Sequence, residues 1–112
     1  MATAIAEKVK YLNQTLRLTQ HDVGQILNSS SRTVARWSSG EASPQRLTKQ
    51  RLLELVYVGE QLSKVLKPED ANLWIFSPNP LLKGDSPAER IARGDFKTVL
   101  ALIEVLADGI VV

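Results

Sequence analysis

The chain contains no cysteine and a single histidine, His21. The first absence excludes a disulfide framework and any thiolate metal site. The second leaves too few nitrogen ligands for a typical zinc site. His21 alone also argues against a Ser-His-Asp catalytic set, and it is expected on a solvent-facing helix side. No glycine-rich phosphate loop is present, because Gly40, Gly59 and Gly84 stand isolated. No apolar run approaches the ~20 residues that a membrane span needs. The opening stretch, MATAIAEKVKYL, carries acidic and basic residues and no signal-peptide core. Together these absences predict a soluble, cytoplasmic, non-enzymatic protein that needs no cofactor and acts by binding.

What remains is enough to fold. The 112 residues are 44% apolar, which fits one domain, or two very small halves sharing a modest core. The net charge of +2 hides a split. Residues 1–51 hold eight Lys/Arg against three acids, a balance of +5. Residues 52–112 hold six against nine, a balance of −3. A basic half joined to an acidic half points to two surfaces with different partners, or to chance in a short chain.

Every strong periodic signal is helical. Ile5, Val9, Leu12 and Leu16 recur at helical spacing over about 3–16. Thr19 and Asp22 resemble a capping box for a second helix, which turns Val23, Ile26 and Leu27 inward and ends at Asn28. Serines 29–31 offer caps for a third helix that Gly40 stops. Ser43-Pro44 reads as the start of a long helix reaching about Lys67. Its stripe of Leu52, Leu55, Val56, Gly59, Leu62 and Leu66 is widened by Leu53, Tyr57 and Val58, which predicts burial by more than one neighbour, a second copy included. Pro68 opens a helix carrying Trp74 and Phe76, both expected in the core. Ser86-Pro87-Ala88-Glu89 opens another, which Gly94 closes. Asp95 caps the last, with Val99, Leu102, Ile103 and Leu106 inward and Gly109 as its C-cap. The expected fold is all-α, with about seven helices.

Residues 20–39, QHDVGQILNSSSRTVARWSS, resemble a helix-turn-helix of the Xre/lambda-repressor type. Gly24 falls where a side chain would push the partner helix away, and Asn28 falls at the turn. At about 100° per residue, Val34 and Trp37 share one side of the third helix while Arg32 and Arg36 share the other. Outward arginines suit a DNA major groove, where each bidentate contact to guanine is worth about 1–3 kcal/mol of discrimination. Ser29, Ser30, Ser31, Thr33 and Gln20 are candidates for phosphate or helix-end contacts. The expected DNA-binding set is therefore Gln20, Ser31, Arg32, Thr33 and Arg36. The bland alternative is a three-helix pack whose arginines are merely solvated. Two arginines per chain give little salt-sensitive affinity, so DNA binding calls for a homodimer or a larger complex.

TVARW at 33–37, PQRLTKQRLLEL at 44–55, ANLWIFSPN at 71–79 and VLALIE at 99–104 follow one another along nearly the whole chain. In that order they resemble the Xre-type antitoxins of RES–Xre toxin–antitoxin pairs, the mycobacterial MbcA-type antitoxins in particular. The resemblance implies a helix-turn-helix domain over 1–50, joined by the long helix to a toxin-binding helical domain over 51–112. It implies an antitoxin that neutralises a RES-domain, NAD-degrading toxin by blocking its active site and represses its own operon through operator DNA. It also implies that the C-terminal end, Gly109, Ile110, Val111 and Val112, enters the toxin's cleft. An apolar tail ending in a carboxylate is a liability when exposed and useful when it fills a cleft. The alternative for the tail is folding back on the chain's own core. A stand-alone helix-turn-helix repressor, or a pure protein-interaction module, are the competing readings of the whole chain.

Overall fold

Helix starts and stops are written into the sequence as side chains that satisfy end groups, and most of the fold follows from them. The computed structural model describes residues 3–109. Among these, seven α-helices and one 3₁₀ turn account for all regular structure, with no strand. They are α1 (Ala4–Leu16), α2 (Gln20–Leu27), α3 (Ser31–Ser39), α4 (Arg46–Ser63), α5 (Pro68–Phe76), the 3₁₀ turn (Pro80–Leu82), α6 (Pro87–Ala92) and α7 (Phe96–Ala107). The Thr19–Asp22 capping box is formed in both directions at the start of α2. The Ser86–Glu89 box does the same for α6. Asn28 and Gly40 both adopt the left-handed conformation that ends a helix. Arg17, also left-handed with φ 54°, closes α1, an end that no glycine or asparagine signals.

Helix α4 departs from expectation at both ends. It begins at Arg46 rather than Pro44, with Gln45 as an N-cap that makes no side-chain bond. Proline disfavours helical geometry at Ser43, and Gln45 stays extended with ψ 164°. The far end stops at Ser63, not near Lys67. Lys64 and Val65 donate to carbonyls three residues back, which tightens the last turn. Pro68 in turn keeps Lys67 extended.

One apolar cluster runs through the molecule. It joins Val9, Leu12 and Leu16 of α1, Val23 and Ile26 of α2, and Val34 and Trp37 of α3. It continues through Leu52, Leu55, Val58 and Leu62 of α4 to Ile75, Ile91, Val99 and Ile103. Helix α1 packs on α3, α4 and α5, α2 packs on α3 and α6, and α7 packs on α4 and α6. Phe76 is not in that core: it is 38% exposed. Ile75 takes the inward position at the end of α5, which turns its neighbour outward. Trp74 is half-buried against the cluster. Leu53 and Tyr57, expected to widen the buried face of α4, are 42% and 45% exposed. Helix α4 packs on α1, α7, α2 and α5, and Leu53 and Tyr57 stay largely outside that packing among the described residues.

Candidate functional site

Helix α3 is built to show one face. Ser30 caps it, accepting from the Thr33 amide at 3.0 Å and donating to the Thr33 hydroxyl at 2.9 Å. Those two residues are thereby committed to the helix start, and Thr33 is half-buried. Val34 is fully buried and Trp37 is 3% exposed, so the back of α3 is locked into the core. Ser31, Arg32 and Arg36 lie on the exposed side, as does Gln20 at the first turn of α2. Among the described residues, Arg32 makes no ion pair. Arg36 reaches Glu41 at 3.8 Å with both side chains more than half exposed. An ion pair so wet contributes little, so the guanidinium is available to another acceptor. Lys10 of α1 lines the same open hollow as Gln20 and adds a cation that the motif reading missed.

Gly24 is the reason α3 sits where it does. A Cβ on Gly24 would lie 2.5 Å from the Ser29 carbonyl oxygen. The Ser29 amide also donates to the Gly24 carbonyl at 2.7 Å. The turn between the helices thus folds directly onto this residue, and only glycine leaves room for it.

Helix α7, packed on α4 and α6, buries Val99, Leu102 and Ile103. Leu106 is half-buried. Asp108 caps the helix, and Gly109, exposed and left-handed at φ 85°, stands one residue beyond. Of the expected toxin-binding residues only Gly109 is described; Ile110, Val111 and Val112 lie outside the described residues. Beside the end of α7 runs a shallow groove against α4, lined in part by Tyr57, Lys64, Leu100 and Ala107. The Tyr57 and Phe96 rings meet edge to face, 6.2 Å apart, on the same α4–α7 boundary.

The acidic half carries an ion network that sequence pattern did not reveal. Arg90 donates from Nε to Asp85 at 2.9 Å, from Nη1 to Asp95 at 2.8 Å, and from Nη2 to the Leu82 carbonyl at 2.8 Å. Arg93 adds a 2.8 Å bond to Asp85. The Arg90 hydrogen bond holds the Asp85 carboxyl below its ordinary value. The Thr98 hydroxyl, then Arg90, do the same for Asp95. Arg17, 2.9 Å from Glu69, lowers that carboxyl and ties the end of α1 to α5. Depressed folded-state values stabilise the fold above the ordinary carboxylate range, and that stabilisation is lost as pH falls through the lowered values. Thermal unfolding should therefore show a Tm that is level between pH 7 and 5 and falls progressively below about pH 4. A Tm that is flat down to pH 2.5 would contradict this assignment of the carboxylates.

No family model matches the chain. Individual relatives do. The mycobacterial cidal antitoxin MbcA of Mycobacterium bovis is 46% identical over 108 residues, covering 96% of each chain. MbcA of Mycobacterium tuberculosis matches to the same extent. A chain in the crystal structure of the M. tuberculosis MbcT–MbcA toxin–antitoxin complex superposes with a TM-score of 0.85 at 45% identity. That match covers 98% of this chain and 99% of that one. The chain belongs to the MbcA-type mycobacterial antitoxins.

The non-enzymatic reading follows from kinship with the MbcA-type antitoxins. Among the described residues no group of His, Asp and Glu could hold a metal ion, and no helix is long and apolar enough to cross a membrane. In this antitoxin fold Arg90 sits at a corner between helices, and its only sequence signal is Asp85 and Asp95 placed five residues to either side.

Proposed function

We infer that this antitoxin binds a RES-domain, NAD-degrading toxin and blocks its active site with the C-terminal end of the chain. The observation that carries the reading is the end-to-end match to an antitoxin solved in complex with its toxin. That match covers 98% of the chain, and α7 ends at Ala107, two residues before Gly109. An apolar Ile-Val-Val segment suits a cleft that excludes water. The acidic balance of residues 52–112 adds long-range attraction toward a basic cleft. Cells producing both proteins should keep their NAD and grow; NAD loss that continues despite co-production removes the antitoxin reading.

We also assign operator binding to the helix-turn-helix of residues 1–50, with Gln20, Ser31, Arg32, Thr33 and Arg36 as its contact set. The exposed, weakly paired arginines of α3 support it. Ser31 and Gln20 sit at helix starts, where backbone amides favour phosphate oxygens. Thr33, whose hydroxyl accepts from Ser30, serves by holding the start of α3. A homodimer within the toxin–antitoxin complex would present two such helices to two half-sites and multiply the small phosphate contact of one chain. The exposed Leu53 and Tyr57 of α4 are compatible with such pairing. The double variant Arg32→Ala/Arg36→Ala should lose specific operator affinity by about 1–3 kcal/mol per arginine. Fluorescence anisotropy with operator and scrambled DNA checks this; equal binding by the variant would place base reading on another surface.

A further inference from the structure

We propose that Arg90 is a positioning residue for toxin neutralisation: it fixes the direction of α7, and with it the place where the chain's C-terminal end meets its partner. The inference rests on the toxin-binding reading above. The three guanidinium nitrogens of Arg90 bond three separate segments. Nη2 holds the Leu82 carbonyl at the end of the 3₁₀ turn, Nε holds Asp85 before α6, and Nη1 holds Asp95 at the start of α7. Asp95 is the joint of the device. Its Oδ1 caps α7 by accepting from the Thr98 hydroxyl at 2.7 Å and the Thr98 amide at 3.4 Å. Its Oδ2 takes Arg90 at 2.8 Å, and its own amide donates to the Arg90 carbonyl at 2.8 Å. One carboxylate thus links the cap of α7 to a side chain rooted in α6.

The corner is also closed from outside. Gly94, with φ 90°, sits under the Arg51 side chain of α4, and a Cβ there would lie 2.6 Å from a guanidinium nitrogen. The apolar contacts of Val99 and Ile103 decide which face of α7 is buried, but such contacts are weakly directional. Charge-assisted, multi-pronged hydrogen bonds are directional, and Arg90 supplies them at the helix start. The lever is long: at 1.5 Å per residue the 12 residues of α7 span about 18 Å, so a tilt of about 10° displaces the far end by about 3 Å. A displacement of that size removes a segment from a fitted cleft.

The test compares Arg90→Met and Arg90→Lys with Arg93→Met. Arg93 carries the same charge and also bonds Asp85, but it is 60% exposed at the side chain and touches neither Asp95 nor Leu82. Each full-length variant is titrated by calorimetry with a catalytically inactive form of the RES-domain enzyme from the same operon. Operator affinity and Tm are measured in parallel. The expected result is toxin binding weakened at least about tenfold in both Arg90 variants at a temperature where they remain folded. Operator affinity should stay within about twofold, and Arg93→Met should match the parent. Arg90→Lys carries the test where Arg90→Met fails to fold. Parent-like toxin affinity in the Arg90 variants overturns the proposal, as does an equal loss in Arg93→Met, which would make charge rather than geometry responsible. A parent chain that does not bind the enzyme overturns the toxin reading itself, and the two failures are thereby distinct.

Discussion

Trp37→Ala is expected to cost about 3–5 kcal/mol of folding stability, the range for truncating a buried large aromatic. The indole is 3% exposed and belongs to the cluster that runs from α1 to α7. Alanine would leave a cavity that α3 cannot fill by moving inward, because the Gly24–Ser29 contact already brings the turn to its closest approach. For a domain whose total stability is on the order of 5–15 kcal/mol, such a loss removes a large fraction. Since residues of α1, α3, α4 and α7 share one core, α7 should soften along with α3. Guanidinium unfolding followed by helical circular dichroism measures this directly. A loss under about 1 kcal/mol would mean that Trp37 is not packed as described.

Removing residues 110–112 should act in the opposite manner, with little effect on stability and a large effect on neutralisation. Fully burying one Val or Ile side chain stabilises a complex by about 1.5–3 kcal/mol, from which the ordering of the segment subtracts. Three such residues in a cleft leave room for a loss of at least about a hundredfold in toxin affinity. If α3 binds the operator as proposed, that binding should be unchanged, because α3 packs on α1 and α2 whereas α7 packs on α4 and α6. A truncated chain that protects NAD as well as the parent would remove the tail from the mechanism and move the inhibitory contact to the α4–α7 surface.

The parts of this fold legible in the sequence are those decided within three or four residues. Thr19 with Asp22, Ser86 with Glu89, Asp95, Asn28 and Gly40 each act on the helix end beside them, and each does so in the structure. The Val34–Trp37 and Arg32–Arg36 faces of α3 follow from helical spacing alone. Ser43-Pro44 carries an equally clean local signal, yet α4 starts after it. The Glu41 and Ala42 amides donate back to the Arg36 carbonyl, residues 42–45 are irregular, and Gln45 is extended. Phe76 and Tyr57 are exposed against expectation, because apolar character says that a side chain prefers burial, not that a neighbour exists to bury it. The Arg90 network has no periodic signal. Its partners come from a 3₁₀ turn and two loops whose geometry only the folded chain defines. The candidate DNA face was therefore visible residue by residue, while the device at the α6–α7 corner was not.

The proposed function amounts to inhibition of an NAD-consuming enzyme by stoichiometric binding. Purified RES-domain toxin incubated with NAD and rising amounts of this chain tests it most directly. NAD consumption is expected to fall in proportion to added antitoxin and to stop once every active site is occupied. NAD consumption that proceeds at the uninhibited rate in the presence of excess folded chain would contradict it.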